Sequence, residues 1–345
     1  MILYIIDNMS DMIKVTEKRL DWFFQQFKKK KIIVLGDLML DRYVWGNVNR
    51  ISPEAPVPVV EVTDETTRLG GAANVAHNLY SLGAIPIPIG IVGDDQAGAQ
   101  LIGLMKSLNF PADSIIIDKF RPTAVKTRII ANDQHVVRAD WESREPINSD
   151  ISQQVIDVIK KNIEYADALI FEDYNKGLLI KELISEAIDL ANQHQKIVTV
   201  DPKYENFFEY KLVTLFKPNR KETEAALGIR ISSLEKLKDA CRIVMDQLNC
   251  NAVLITLGDQ GMCLLSSTGE FIRIPTKARK VHDVSGAGDT VISTLTLSLT
   301  TGVEMKEAIS LANYAAGAVC SEVGVVPIEP SKLRETIRYF NGFDF

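Results

Sequence analysis

The stretch His282-Asp283-Val284-Ser285-Gly286-Ala287-Gly288-Asp289-Thr290 runs directly into a largely apolar, helix-length segment, Val291 to Leu299. Two glycines around an alanine let successive backbone N–H groups turn toward one point at the start of a helix, where the helix dipole also favours negative charge. Such a turn is an anion site. An aspartate as its last member would repel the anion, unless its task is to take a proton from a nucleophile attacking that anion. Asp289 therefore reads as a general base, with the N–H groups of Gly286, Ala287 and Gly288 as the anion cradle. Taken alone, the stretch favours the plainer reading of Asp289 as a cap for the helix beginning at Thr290, and the rest of the chain has to decide.

Outward from that turn, short apolar runs alternate with helical segments. Lys31 to Leu35, Ile85 to Val92, Asp167 to Glu172, Lys196 to Asp201 and Ala252 to Leu257 are strand-like. Between them, Leu82 closes a helix that opens at Gly70-Gly71, and Ile151 to Lys160, Lys181 to Gln193, Leu234 to Leu248 and Met305 to Val319 carry helical periodicity. This alternation predicts an α/β fold, a mostly parallel sheet with helices on both faces, with Gly261 to Ile274 as a hairpin. Arg42 to Leu69, with Pro53, Pro56 and Pro58, and Thr123 to Arg138 read instead as extended edge strands. The two are expected to pair into a small sheet projecting from the main body.

The composition is that of a globular protein: 345 residues, 46% hydrophobic and 24% charged. A formal net charge of −6 argues against a general nucleic-acid or membrane-surface partner, so an anionic substrate has to be held by a few local cations. Cys241, Cys250, Cys263 and Cys320 form no CxxC pair and read as reduced, buried, cytoplasmic thiols. The four histidines lack metal-ligand spacing, which argues against zinc. The apolar opening Met1 to Ile6 is too short to span a bilayer, and Met9 or Met12 is an alternative start. Residues 1–31 are expected to be a peripheral segment with one amphipathic helix on Leu20, Phe23, Phe24 and Phe27.

Several further motifs sit at predicted strand ends or helix starts. Asp37 follows Gly36 where the first strand delivers it, the place where ligands bind in open α/β sheets. Gly70-Gly71 with Asn74 allows a close backbone approach beside an amide side chain. Asn219 and Glu222, three apart at a helix start, suit a site where a carboxylate holds magnesium or its water; an ordinary helix N-terminus with a favourable Glu explains them too. Thr256, Gly258 and Gly261 end a strand in a turn open to a nucleotide, and Asp201-Pro202-Lys203 sets a lysine at another strand end. No GxxxxGK[ST] occurs, and Gly90, Gly93 and Gly98 do not form GxGxxG, which excludes a P-loop enzyme and weakens a nicotinamide dehydrogenase reading.

In order, Gly36-Asp37, Gly70-Gly71-x-x-Asn74, Asn219-x-x-Glu222, Thr256-Leu257-Gly258-x-x-Gly261 and Gly286-Ala287-Gly288-Asp289 resemble the ribokinase (PfkB) family of carbohydrate kinases, over about Lys31 to Thr336. The resemblance implies a ribokinase-like αβα sandwich with a small β-sheet lid. It divides the chain into a peripheral segment (1–31), a kinase domain (32–336, lid strands within about 42–69 and 123–138) and a tail (337–345). Gly36 to Tyr43, Arg50 to Val60 and Asp173-Tyr174-Asn175-Lys176-Gly177 are most similar to the family's D-glycero-β-D-manno-heptose 7-phosphate kinases, which act in ADP-heptose and lipopolysaccharide core precursor synthesis. In many bacteria that module is fused to an adenylyltransferase; none follows here before Phe345, so only the kinase activity is implied.

By the resemblance, Asp289 deprotonates the anomeric hydroxyl while Gly286, Ala287 and Gly288 hold the transferring phosphoryl group of ATP. Asp37, Gly70, Gly71 and Asn74 hold sugar hydroxyls, with Asp173 and Lys176 bordering that pocket. Arg42, Lys126, Arg128 and Arg138 are the candidates for the 7-phosphate, each equally explained as solvated lid charge. Asp201, Lys203, Asn219, Glu222, Thr256, Gly258, Gly261 and Asn313 line the ATP and magnesium side, Glu222 acting through water. Asp283 and Ser285 stand where family members carry a monovalent cation such as K+. Open edges on the lid imply a homodimer clasped through it. Two alternatives stay open: a kinase for another sugar, sugar phosphate or nucleoside, and a sugar-phosphate-binding regulator without turnover.

Overall fold

A computed structural model describes residues 13–132, 134–278 and 283–342. His282, the expectations for Met1 to Met12 and the last three residues of the tail lie outside the described residues.

The chain opens with α1 (Glu17–Phe27), β1 (Lys31–Gly36), β2 (Leu38–Ile51), β3 (Pro58–Gly71), α2 (Ala72–Ser81), β4 (Ile85–Gly93) and α3 (Gln96–Ser107). It continues with β5 (Ile115–Asp118), β6 (Ala124–Ala131), β7 (Gln134–Trp141), α4 (Ser149–Asn162), β8 (Ala168–Glu172), α5 (Lys181–Gln193), β9 (Ile197–Asp201) and β10 (Leu215–Phe216). The last part holds α6 (Arg220–Leu227), α7 (Leu234–Leu248), β11 (Ala252–Thr256), β12 (Met262–Ser266), β13 (Phe271–Ile274), α8 (Ala287–Leu299), α9 (Met305–Val319) and α10 (Pro330–Asn341).

Nine strands form one sheet in the order β13-β12-β11-β10-β9-β8-β1-β4-β5. All neighbours pair in parallel except β11 with β12 and β12 with β13, the predicted hairpin. The strand period of two, with a core on each face, explains why β1 is apolar from Ile32 to Leu35. Ile32 and Val34 point into one core, which contains α2, α8 and α9, while Ile33 and Leu35 point into a second core with α4, α5 and α7. β8 and β11 divide their residues the same way. Leu20, Phe23 and Phe27 of α1 are buried in the first of these cores, and Glu17 ties that helix to Arg334 and Arg338 of α10.

The second sheet is small and mixed: β3-β2-β6-β7, with β2 parallel to β6 and the outer pairs antiparallel. It starts earlier than the proline-marked stretch suggests, because β2 leaves β1 after only Asp37 and β3 runs straight into α2. Leu38 pairs with Gly71 at its base, so Asp37 and the Gly70-Gly71 turn are neighbours by register. The carboxyl ends of β1, β8 and β9 meet at that base. α8, whose residues from Asp289 to Leu299 are buried, enters the same place N-terminus first.

Candidate active site

Gly286 is the N-cap of α8, with φ 79°, a left-handed conformation glycine adopts without strain. A β-carbon there would come within 3.0 Å of the Asn74 amide nitrogen. The turn puts Asp289 in the first helical turn, only 4% exposed. Asn74 Nδ2 donates to its Oδ2 at 2.7 Å and the Tyr174 hydroxyl to its Oδ1 at 3.1 Å. Burial above all pushes Asp289 up to about 6; the charge of Asp201 adds to this, and the Asn74 and Tyr174 hydrogen bonds and Lys217 oppose it. The cap reading of Asp289 fails on geometry, since both oxygens accept from side chains of other elements.

One expectation about the cradle is corrected. The Ala287 N–H donates to the Val284 carbonyl at 3.2 Å, closing the turn on itself, and is not free for a ligand. Among the described residues no acceptor lies within reach of the amides of Gly286, Gly288 or Asp289, the orphan donors expected at a helix N-terminus. They face a cavity of about 510 Å³ lined by Asp201, Lys203, Lys217, Asn219, Thr256, Gly258, Gly261 and Asn313, with Ala278, Val284, Ala316 and Cys320 as an apolar wall. Asn313 is buried and fixed by the Pro275 carbonyl at 2.8 Å.

The structure thus brings the predicted nucleotide-side residues together, Glu222 one bond further out. Glu222 and Asn219 form a reciprocal capping box on α6, 2.8 and 2.9 Å, and the other Glu222 oxygen accepts from Lys203 Nζ at 2.7 Å. The plain reading of that motif as a helix start therefore holds beside any metal role. Burial works against the charge on Lys203, yet Asp201 and Glu222 more than restore it and hold its pKa above the ordinary value.

On the acceptor side, Asp37 is buried and its Oδ2 accepts from the backbone of Tyr174 (2.8 Å) and Lys176 (3.1 Å). Burial first, then the charge of Asp173, push it up to about 7. Gly71 has φ 55° and a β-carbon on it would run into the Asp37 carbonyl, so glycine is required there, while a β-carbon on Gly70 would crowd the Asp41 carboxylate. Asp173 departs from expectation: its oxygens accept from Tyr210 (2.6 Å), Asn206 (3.2 Å) and its own loop, which makes it an anchor for that loop.

The lid cations differ among themselves. Arg128 is paired with Asp41 and lies over Tyr43, and Lys126 and Lys176 share Glu142. Arg42 pairs with Glu65. Arg138, 58% exposed, pairs with Asp140 on its own exposed strand, which is the solvated-charge alternative. Asp283 accepts from the amides of Ser285 (2.9 Å) and Gly324 (3.0 Å); burial alone would raise it, but these bonds hold it below the ordinary carboxylate value.

Sequence reasoning passed over Lys217, Tyr174 as a contact of Asp289, and Glu172. Lys217 Nζ lies 2.7 Å from Asp201 Oδ2 and is almost fully buried. Its signal was a charge placed directly after the apolar pair Leu215-Phe216; Glu172 carries the same signal after Ala168 to Phe171.

Residues 29–332 match the family model described as pfkB family carbohydrate kinase. The chain belongs to that family. The bifunctional protein HldE of Helicobacter pylori is 45% identical over 295 residues, 86% of this chain and 64% of its own length. HldE of Pelobacter propionicus is 41% identical over 316 residues, 92% of this chain and 65% of its own. This pfkB chain thus spans less than two thirds of the length of these relatives. Phosphofructokinase-2 from Escherichia coli in complex with potassium superposes with a TM-score of 0.76 at 19% identity, covering 91% of this chain and 99% of that one. Ribokinase of Arabidopsis thaliana with ribose and ATP gives 0.70 at 17% identity, covering 90% and 99%. The ribokinase-like αβα architecture inferred from the sequence stands, with its small sheet mixed. No helix among the described residues is long and apolar enough to cross a membrane.

Proposed function

We propose that this pfkB kinase transfers the γ-phosphoryl group of ATP to the anomeric hydroxyl of D-glycero-β-D-manno-heptose 7-phosphate, giving the 1,7-bisphosphate used in ADP-heptose synthesis. The observation that carries the reaction type is the carboxylate of Asp289, oriented by Asn74 and Tyr174 beside unpartnered amides at the start of α8. The choice of acceptor rests on the lid motifs around Asp41 and Lys176 and on 41–45% identity to proteins named HldE.

In this reading Asp37 and Asn74 hold acceptor hydroxyls, and the ionised Asp289 takes the proton as the anomeric oxygen attacks. The amides of Gly288 and Asp289, with Lys217 and Lys203, balance charge on the transferring group, so catalysis is positioning and electrostatics. Thr256, Gly258, Gly261 and Asn313 hold the nucleoside. Magnesium supplies charge neutralisation on the phosphate oxygens. Both Glu222 oxygens already accept from Lys203 and Asn219, which fits a carboxylate holding the ion through water. We assign a potassium ion to the loop of Asp283 and Ser285, and the 7-phosphate to Arg42, Lys126 and Arg128. The open edges β3 and β7, with Val137 and Trp141 exposed, support a homodimer through the lid; light scattering checks it.

ADP release measured with heptose 7-phosphate, fructose 6-phosphate and ribose tests the proposal. Heptose 7-phosphate is expected to give the largest kcat/KM by at least about tenfold, a difference of about 1.4 kcal/mol. Preference for another sugar overturns the substrate; sugar binding without any ADP release overturns the reaction.

A further inference from the structure

We propose that the cleft between α6, the start of α7 and β13 binds a small anion carrying two phosphate groups, at a site separate from the nucleotide cavity. The cleft has a volume of about 680 Å³ and is lined by Arg220, Arg230 and Arg273, with Glu224 as its one carboxylate. Three elements bring the arginines together: Arg220 opens α6, Arg230 lies between α6 and α7, and Arg273 is an exposed position of β13. The turn after β11 separates the two cavities. Gly258 and Gly261 face the nucleotide side, while Leu257 and Gln260 face this cleft, and no residue lines both.

These three arginines differ from the rest of the chain's. Every other described arginine pairs with a carboxylate, except Arg68, which donates to the carbonyls of Val323 and Val325. Arg220, Arg230 and Arg273 have no carboxylate partner among the described residues. Glu224 does not serve them, because it accepts from the backbone N–H of Ile231 at 2.7 Å. Arg220 donates to Gln260 Oε1 at 2.6 Å, and its Nε is buried without an acceptor among the described residues. A guanidinium presents its donors as a fork that fits phosphate oxygens two at a time, and a buried N–H without an acceptor is costly, so the cleft points to an anion. Charge agrees. Three guanidinium groups against one carboxylate leave a local excess of two positive charges in a chain of formal charge −6. Clustered like charges repel unless an anion neutralises them. That excess, and a volume larger than one phosphate fills, favour a diphosphate; Ile231, Leu237 and Leu257 give its organic part an apolar floor.

The test is a calorimetric titration of the full chain with inorganic pyrophosphate at constant ionic strength, without nucleotide or sugar, so it does not depend on the kinase reading. The wild type is expected to show a site holding one pyrophosphate per chain. Arg230→Gln combined with Arg273→Gln, both exposed residues, should weaken that site at least about tenfold with thermal melting unchanged. Arg273→Gln alone repeats the test should the double variant melt early. Arg220→Lys keeps the charge and loses the fork, and should weaken the site by at least about threefold, which unspecific attraction would not produce. Lys203→Gln, in the nucleotide cavity, should leave the site's affinity within about threefold. No such site in the wild type, unchanged binding after loss of the two arginines, binding lost only with Lys203, or sulfate or citrate bound as tightly as pyrophosphate would each overturn the proposal.

Discussion

The two walls of the cleft are built on opposite plans. The wall formed by the ends of β8 and β9 and the start of α8 buries its charges, and Asp289, Asp201 and Lys217 are each held by a partner from another element. The lid presents charges that are paired with each other, Arg128 with Asp41 across neighbouring strands, Lys126 with Glu142 just past the end of β7, and Arg138 with Asp140 within β7. Buried groups gain from low dielectric and fixed geometry, so the first wall suits bond-making. Arg138 with Asp140 is an exposed pair, worth little and cheap to exchange, whereas Arg128 and Lys126 keep their partners largely out of water at the base of the lid, where an incoming anion can be recognised.

If that division is right, substitutions on the inner wall should act on kcat or stability, and those on the lid on KM. Asp289→Asn should lower kcat by about 10²–10⁴-fold with ATP binding retained. Lys217→Met breaks a pair that is almost fully buried and should cost about 3–5 kcal/mol of stability in urea unfolding. Smaller and of opposite sign is the stability effect at Asp289. Burial pushes it up to about 6 from an ordinary 3.8, so the folded state holds this proton more tightly and its contribution to stability falls as pH rises from about 4 to 6. Asp289→Asn should therefore stabilise the protein relative to wild type more at pH 7 than at pH 4.5, by on the order of 2 kcal/mol. An equal difference at both values would place the charge outside the buried wall. On the lid, Lys126→Ala should raise KM for the sugar phosphate about tenfold, the worth of one charge-assisted hydrogen bond, with kcat little changed. Arg138→Ala should change either constant by less than about twofold. A large kcat effect from either lid variant would erase the contrast.

The same contrast explains what was legible in the sequence. β1 and β11 announce themselves because a strand buried on both faces has to be apolar along its interior, and their ends then locate Asp37 and Thr256. β10 has two residues and no pattern to read; its identity comes from neighbours on both sides, and Lys217 was lost with it. Glu172 and Tyr174 were hidden for another reason: only the crossing of α8 over the strand ends brings residues more than a hundred positions apart into contact. On the lid, every cation follows the same alternation as its neighbours. Nothing local separates Arg128, held beneath Tyr43, from the exposed Arg138 one strand away. The Asn219 and Glu222 pair shows a further limit, because a capping box and a water-mediated metal site ask for the same two residues at the same spacing.

The proton transfer assigned to Asp289 is tested most directly by the single-turnover rate of phosphoryl transfer against pH, with both substrates saturating. The account predicts one ionisation with its midpoint near 6, rate rising with pH, and a lower midpoint in Asp201→Asn, because the Asp201 charge raises Asp289. A rate flat between pH 5 and 8, or a midpoint indifferent to Asp201, would contradict it.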